Sequence, residues 1–153
     1  MNLTAIEELA ENVIDLDKRF PDIFELVFDD KEVKDFIIAL NTEDQLLQQG
    51  IDGTGTKLSK IGGPYADSTV RRKGGDRDTV TLKDTGAFYD TFEVFIEGSV
   101  ILIVANTIKE GVDLRERWGV NIVGLTDDSI SQLQDFIKER FIRAVKAEIF
   151  RGL

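Results

Sequence analysis

Residues 50–63, GIDGTGTKLSKIGG, contain the residue types of a phosphate-binding loop. Closely spaced glycines let backbone N–H groups surround a phosphate, and a nearby lysine neutralises its charge. The spacing, however, does not fit. A P-loop follows a buried strand and has glycine directly before its lysine, whereas Gly53 and Gly55 follow a helical pattern and no glycine stands directly before Lys57 or Lys60. The dinucleotide-binding pattern also fails, because no strand leads into these glycines. The sequence therefore predicts a flexible turn and no nucleotide site.

A second set of residues that could do chemistry is Asp22, Glu32 and Lys34. With Pro21 they match the PD…E-x-K pattern, in which carboxylates hold Mg²⁺ and the lysine positions a water molecule. That chemistry usually lies on adjacent strands, and here both parts of the pattern lie in predicted helices. A Mg²⁺-dependent nuclease is therefore an alternative to the interpretation favoured below.

The composition restricts other chemistry. The chain has no histidine and no cysteine, which removes the commonest general base, thiolate catalysis and disulfide bonds. Asp76, Asp78, Asp84 and Asp90 lack the D-x-D-x-D-G spacing of a calcium loop, and turn or capping roles account for them. We therefore expect no enzymatic activity, no catalytic or metal-binding residue and no cofactor.

Charge is distributed unevenly along the 153 residues. The net charge is −10, yet residues 51–77 carry six basic and three acidic side chains. An acidic chain is poorly suited to coat duplex DNA, so we expect no sequence-specific nucleic-acid binding. The basic segment instead predicts contact with an acidic protein surface, such as the N-terminal region of another copy. The predicted interface residues are Lys57, Lys60, Tyr65, Arg71, Arg72, Lys73 and Arg77.

The elements that would position these residues can be read from the hydrophobic pattern. Residues 1–50 predict a first helix that Pro21 ends or interrupts, a short helix at 22–28, and a third helix capped by Asp29 or Asp30 that ends at Gly50. Residues 51–80 predict an extended glycine-rich loop with one helical turn at 66–73.

Residues 81–153 predict a small antiparallel sheet followed by a helix. Phe92, Val94 and Ile96 alternate with polar residues, Gly98 begins a turn, and an apolar partner strand follows at 100–105. Thr126 is the expected N-cap of a C-terminal helix packed on that sheet. The expected fold is a single α+β domain over residues 1–153, with no apolar run long enough to cross a membrane.

The segment LKDTGAFYDT at 82–91 resembles the L-x-x-[ST]-G-x-[LF]-x-x-[ST] signature of phage virion-morphogenesis proteins, which comprise the small head–tail joining, tail-completion and neck proteins. A Trp-Gly element and a Gly-Leu-Thr entry to the last helix follow in the same order as in that family. The residues that carry the resemblance are Leu82, Thr85, Gly86, Phe88, Thr91, Trp118, Gly119, Gly124, Leu125 and Thr126.

The resemblance implies a structural protein of the virion, assembled in the host cytoplasm. It implies a homo-oligomeric ring at the head–tail connector that contacts neighbouring portal, neck or tail proteins and allows proximity to packaged DNA. Besides the nuclease, one further alternative remains, namely a small acidic adaptor that binds a different protein through its N-terminal helices.

Overall fold

The computed structural model describes residues 3–153, and these form an α+β arrangement, as the sequence predicted. Within the described residues no helix is long and apolar enough to span a lipid bilayer. The helices are α1 (Leu3–Phe28), α2 (Lys31–Ala39), α3 (Leu58–Ile61), α4 (Asp67–Lys73), α5 (Leu114–Trp118) and α6 (Asp127–Ile149).

Helix α1 is longer than the sequence predicted. It continues through Pro21 to Phe28, so the prediction of a break at Pro21 and of a separate helix at 22–28 is wrong. Proline removes one N–H donor from a helix and is normally costly there. Here Pro21 is exposed, whereas Ile23 and Val27 beyond it are buried. Packing of the following turns therefore favours a continuous helix over a break.

Helix α2 begins where the sequence placed it and leads into an unusual segment. The Asp30 carboxylate accepts hydrogen bonds from the backbone N–H groups of Glu32 and Val33, which confirms Asp30 as the N-cap. The helix then continues as a π-helical segment, Leu40–Gln49, which ends at Gly50 with φ of +62°. A left-handed glycine is the usual way to end a helix, so the predicted end at Gly50 is confirmed.

The predicted hairpin is present as strands β1 (Glu93–Glu97) and β2 (Val100–Val104), paired antiparallel with Phe95 opposite Leu102. Gly98 adopts φ of +60° in the turn between them. Val94 and Ile96 face inward, while Phe95 and its neighbours on the other face are exposed. A second hairpin, β3 (Ile108–Lys109) and β4 (Val112–Asp113), was not predicted.

The core consists of two connected groups of apolar side chains. One lies beneath the segment that leads into β1 and includes Leu46, Leu58 and Phe88. The other lies between α1, α2, α6 and the inner face of β1, and Leu133 contributes to it from α6. The C-terminal helix therefore packs on the sheet as expected, and its second half packs along α1.

Two buried amide side chains link the π-helical segment to the start of α6. Asn41 donates to the carbonyl of Ile122 at 3.2 Å and accepts from the N–H of Gly124 at 2.7 Å. Gln45 donates to the carbonyl of Gly124 at 2.8 Å and accepts from the N–H of Thr126 at 2.9 Å. The segment that precedes α6 is therefore held by side chains from the other half of the chain.

Replacing Gln45 by leucine is expected to lower the free energy of unfolding by about 2 kcal/mol, because partly buried backbone groups of Gly124 and Thr126 lose their partners. The Ser129 hydroxyl also donates to Gln45, at 2.6 Å, and would lose its acceptor. Urea denaturation followed by circular dichroism measures the change. Gln48→Leu is the matched control, since Gln48 is exposed in the same segment, and an equal effect of both substitutions would contradict the role given to Gln45.

Candidate functional site

The basic cluster identified from the sequence lies at the end of α4. Arg71, Arg72 and Lys73 form the last turn of this helix, where the negative end of the helix dipole favours cations. Arg72 pairs with Asp84 at 2.7 Å. Arg71 is exposed and has no ion pair or side-chain hydrogen bond among residues 3–153. The prediction of a helical turn at 66–73 is confirmed by α4. This helix carries one arginine that forms an ion pair, Arg72, and one that forms none within the described chain, Arg71.

Long-range contacts bring further cations to this surface. Lys109, from β3, reaches the same Asp84 carboxylate as Arg72, at 3.1 Å. Hydrogen bonds from Lys109 and Arg72 lower the pKa of Asp84, so this carboxylate stays ionised well below neutral pH. Because the single Asp84 carboxylate pairs with both Arg72 and Lys109, these three side chains together carry a net positive charge.

Arg117 and Trp118 complete one wall of this surface. The Nε of Arg117 donates to the carbonyl of Gly62 at 2.7 Å, and its guanidinium lies 4.6 Å from the centroid of the Trp118 ring. An open cleft of about 340 Å³, here called the basic cleft, lies between these residues and α4. Among its lining residues are Tyr65, Arg72, Lys73, Arg77, Lys109, Arg117 and Trp118.

The structure brings together four of the seven predicted interface residues, Tyr65, Arg72, Lys73 and Arg77. The other three do not line the cleft. Arg71 lies on the exposed side of α4, Lys60 is in α3, and Lys57 donates to the carbonyl of Gln49 at 2.6 Å. Sequence reasoning missed Lys109 and Arg117, because only tertiary contacts place them beside the cluster.

Hydrogen bonds to the Tyr65 hydroxyl link the end of α4 to residues 81 and 82 beside the basic cleft. The hydroxyl oxygen accepts hydrogen bonds from the N–H groups of Thr81 and Leu82, at 3.1 and 3.2 Å, and from Lys73 Nζ at 3.2 Å. Leu82 has φ of +58°, a conformation in which successive N–H groups can converge on one acceptor. Burial raises the pKa of Tyr65, but the hydrogen bonds from Thr81 and Lys73 outweigh burial and leave it below its usual value.

The glycines of residues 50–63 have a packing role that sequence reasoning did not foresee. A Cβ atom at Gly62 would lie 2.7 Å from the Trp118 indole, and one at Gly53 would lie 3.0 Å from the backbone of Gly124. The N–H of Gly53 donates to the carbonyl of Asn121 at 2.7 Å. These glycines allow close contact with the chain that precedes α6.

The turn that these glycines belong to is also anchored from within. Asp52 is buried, and its carboxylate accepts hydrogen bonds from the N–H groups of Thr54 and Thr56 at 2.9 and 3.0 Å. Leu58 is fully buried in the core. The prediction of a flexible turn therefore needs correction, since core packing and internal hydrogen bonds hold this part of the segment.

The residues of the LKDTGAFYDT segment shape the entry to β1. Phe88 is buried, and its ring packs edge-on against Phe92 with the centroids 5.2 Å apart. The Thr91 hydroxyl donates to the carbonyl of Phe88 at 2.7 Å and accepts from the N–H of Asn106 at 3.0 Å. Gly86 has φ of +92° in the preceding turn.

The remaining motif residues end one helix and begin another. Gly119, with φ of +80°, ends α5 after Trp118, and Leu125 packs against the second core group. Thr126 is confirmed as the N-cap of α6, because its hydroxyl accepts from the N–H of Ser129 at 3.1 Å. The motif residues thus have structural roles in this chain.

The nuclease-like residues are engaged elsewhere. Glu32 pairs with Arg140, and Lys34 pairs with Asp29 at 2.5 Å. Asp22 lies on an exposed position of α1. Across residues 3–153, no three or more carboxylates are placed together as a metal site would require. The geometry therefore provides no support for the nuclease alternative.

Comparisons with known protein families, with curated proteins and with solved structures found no match to this chain. The geometry of the chain itself therefore carries the functional proposal. Its two most distinctive surfaces are the basic cleft and the exposed face of the β1–β2 hairpin.

Replacing Tyr65 by phenylalanine is expected to destabilise the protein by about 1–2 kcal/mol, since the N–H groups of Thr81 and Leu82 lose their acceptor. Hydrogen exchange at these two amides should accelerate as well. Urea denaturation and exchange mass spectrometry measure the two effects. Thr69→Val removes a hydroxyl from the same cleft that has no hydrogen-bond partner among the described residues, so it should leave both quantities unchanged. Unchanged exchange in Tyr65→Phe would contradict the role given to the phenol.

Proposed function

We propose that this chain is a structural subunit of a phage head–tail connector, neck or tail-completion ring. It acts by binding like copies and the adjoining ring, and it performs no chemical reaction. The observation that carries the proposal is the outer face of the β1–β2 hairpin. It exposes four apolar side chains beside two glutamates, and its strand edges have no partner within the described residues.

The outer face of the hairpin has the character of a protein contact. Phe95 is 48% exposed and pairs across the strands with Leu102, which is 37% exposed. Val100 and Val104 extend the apolar surface on either side of Leu102 along β2. On the same face Glu93 lies opposite Val104 and Glu97 lies opposite Val100, so a carboxylate borders the apolar surface at each end. Exposed apolar patches and open strand edges are common positions for binding another chain.

The basic cleft supports the same proposal through its charge. Four arginine and lysine side chains besides Lys73 line it, in a chain with a net charge of −10. Opposite charges on two protein surfaces guide their orientation and suppress wrong pairings. A cationic cleft on one copy fits an acidic surface on another subunit, and the chain's own N-terminal half is strongly acidic.

The order of the sequence motifs is the reason for proposing a phage virion in particular. The LKDTGAFYDT segment leads directly into β1, and the Gly-Leu-Thr element begins α6. The hairpin proposed as a contact therefore lies between the first of the motifs that resemble the phage family and the two that follow it. The absence of histidine and cysteine from the sequence accords with a role in assembly, because it removes the residues most often used in catalysis.

The double substitution Phe95→Ser with Leu102→Ser is expected to reduce incorporation of the chain into virus particles at least about tenfold, which corresponds to about 1.4 kcal/mol of binding free energy. Folding stability should change little, because both side chains are already substantially exposed. Quantitative mass spectrometry of purified particles, relative to the portal subunit, measures incorporation.

Val120→Ser is the matched control, because Val120 is an apolar side chain with 68% exposure that lies outside the hairpin. It should be incorporated like the unmodified chain. Normal incorporation of the double variant, or absence of the unmodified chain from particles, would contradict the proposed function.

A further inference from the structure

Helix α1 and residues 138–151 form a two-helix arm in which the chains run antiparallel. Near one end of the arm, the Asn12 side-chain amide donates to the carbonyl of Ile149 at 3.0 Å. Farther along, the rings of Phe20 and Phe141 meet edge-on, with their centroids 5.8 Å apart. Only two helices contribute to this arm, so each apolar stripe has a single helix to cover it.

The apolar residues of α1 repeat with the seven-residue period of a coiled coil. In such a repeat the two apolar positions of each heptad insert between side chains of a facing helix. In the last heptad, Ile23 and Val27 are 2% and 5% exposed, whereas Val13 is 51% exposed. Helix α6 therefore covers only part of the repeat, whose members are Ile6, Leu9, Val13, Leu16, Phe20, Ile23 and Val27.

Helix α6 extends this uncovered surface. Phe141, Val145 and Ile149 are spaced four residues apart and so share one side of the helix, which the contact with Phe20 places next to the exposed residues of α1. Ile142 on the same side is 39% exposed. The arm face is defined here as Ile6, Val13, Phe20, Phe141, Ile142 and Val145. An antiparallel helix pair with one apolar face is half of a four-helix bundle.

The two helices of the arm carry opposite charge. Residues 3–28 contain seven acidic and two basic side chains, whereas residues 138–151 contain five basic and two acidic ones. Asp17 on α1 and Lys138 on α6 have no ion pair or side-chain hydrogen bond inside the described chain. An arm with one acidic and one basic helix is complementary to a second copy of itself.

We propose that the arm face binds the arm of a second copy, forming a four-helix bundle in which α1 of each copy lies against α6 of the other. Two-fold symmetry allows two arrangements of the pair. An axis parallel to the arm brings acidic α1 against basic α6, whereas an axis across the arm would bring two acidic helices together. Charge selects the first arrangement. This contact is separate from the hairpin face and the basic cleft, and it does not rest on a role in the virion.

Sedimentation equilibrium of the full chain over a range of concentrations tests the proposal. The unmodified chain should dimerise, and Val13→Glu should raise the dimer dissociation constant at least tenfold, because it places a charge in the apolar contact. Ile14→Glu is the matched control: it adds the same charge one residue away, at a side chain that is 72% exposed on the outer side of α1. Equal helical content by circular dichroism verifies that the arm remains folded.

A monomeric chain at every concentration would overturn the proposal, and so would equal effects of the two glutamate substitutions. A second measurement does not depend on weakening the contact. The chain has no cysteine, so introduced cysteines report contacts directly. Mixing Val13→Cys with Ile149→Cys and oxidising should produce a disulfide-linked dimer that contains one copy of each variant. Failure to cross-link in the mixture, or equal cross-linking of Val13→Cys alone, would overturn the proposed pairing.

Discussion

Two buried amide side chains, Asn41 and Gln45, hold the start of α6 against the π-helical segment. Each side chain both donates to and accepts from the backbone at residues 122–126, so backbone groups of Ile122, Gly124 and Thr126 are hydrogen-bonded where the segment is buried or partly buried. The same segment contacts Gly53 and begins α6 at Thr126. A pair of side chains from the first third of the chain thus sets the position of the last helix.

The same region of the fold joins surfaces of different character. The glycine-rich segment is drawn into contact with Gly124 and Trp118, and the basic cleft forms beside it. Helix α6 leaves the same segment, packs on the inner face of the hairpin and then becomes half of the arm. The inner face of the hairpin is buried in the core, whereas four apolar side chains on its outer face remain exposed. A basic cleft, an apolar hairpin face and a charge-divided arm are all suited to contacts with other chains.

The features predictable from sequence were those set by local chemistry. Asp30 and Thr126 cap helices because their side chains reach nearby N–H groups, and the alternation around Val94 indicates which face of β1 is buried. The prediction of a break at Pro21 followed from the same local rules and is wrong, since burial of the later turns of α1 outweighs one missing hydrogen bond. The convergence of Lys109 with Arg72 on one carboxylate depends on tertiary folding, and no local pattern indicates it.

We propose that this chain binds other protein chains at a phage head–tail junction. A cryo-electron microscopy reconstruction of particles that contain the chain tests it most directly. We expect a ring of copies at the junction, with Phe95 and Leu102 of each copy buried against a neighbouring subunit. A reconstruction in which the chain is absent from the junction, or in which the outer face of the hairpin is open to solvent in every copy, would contradict it.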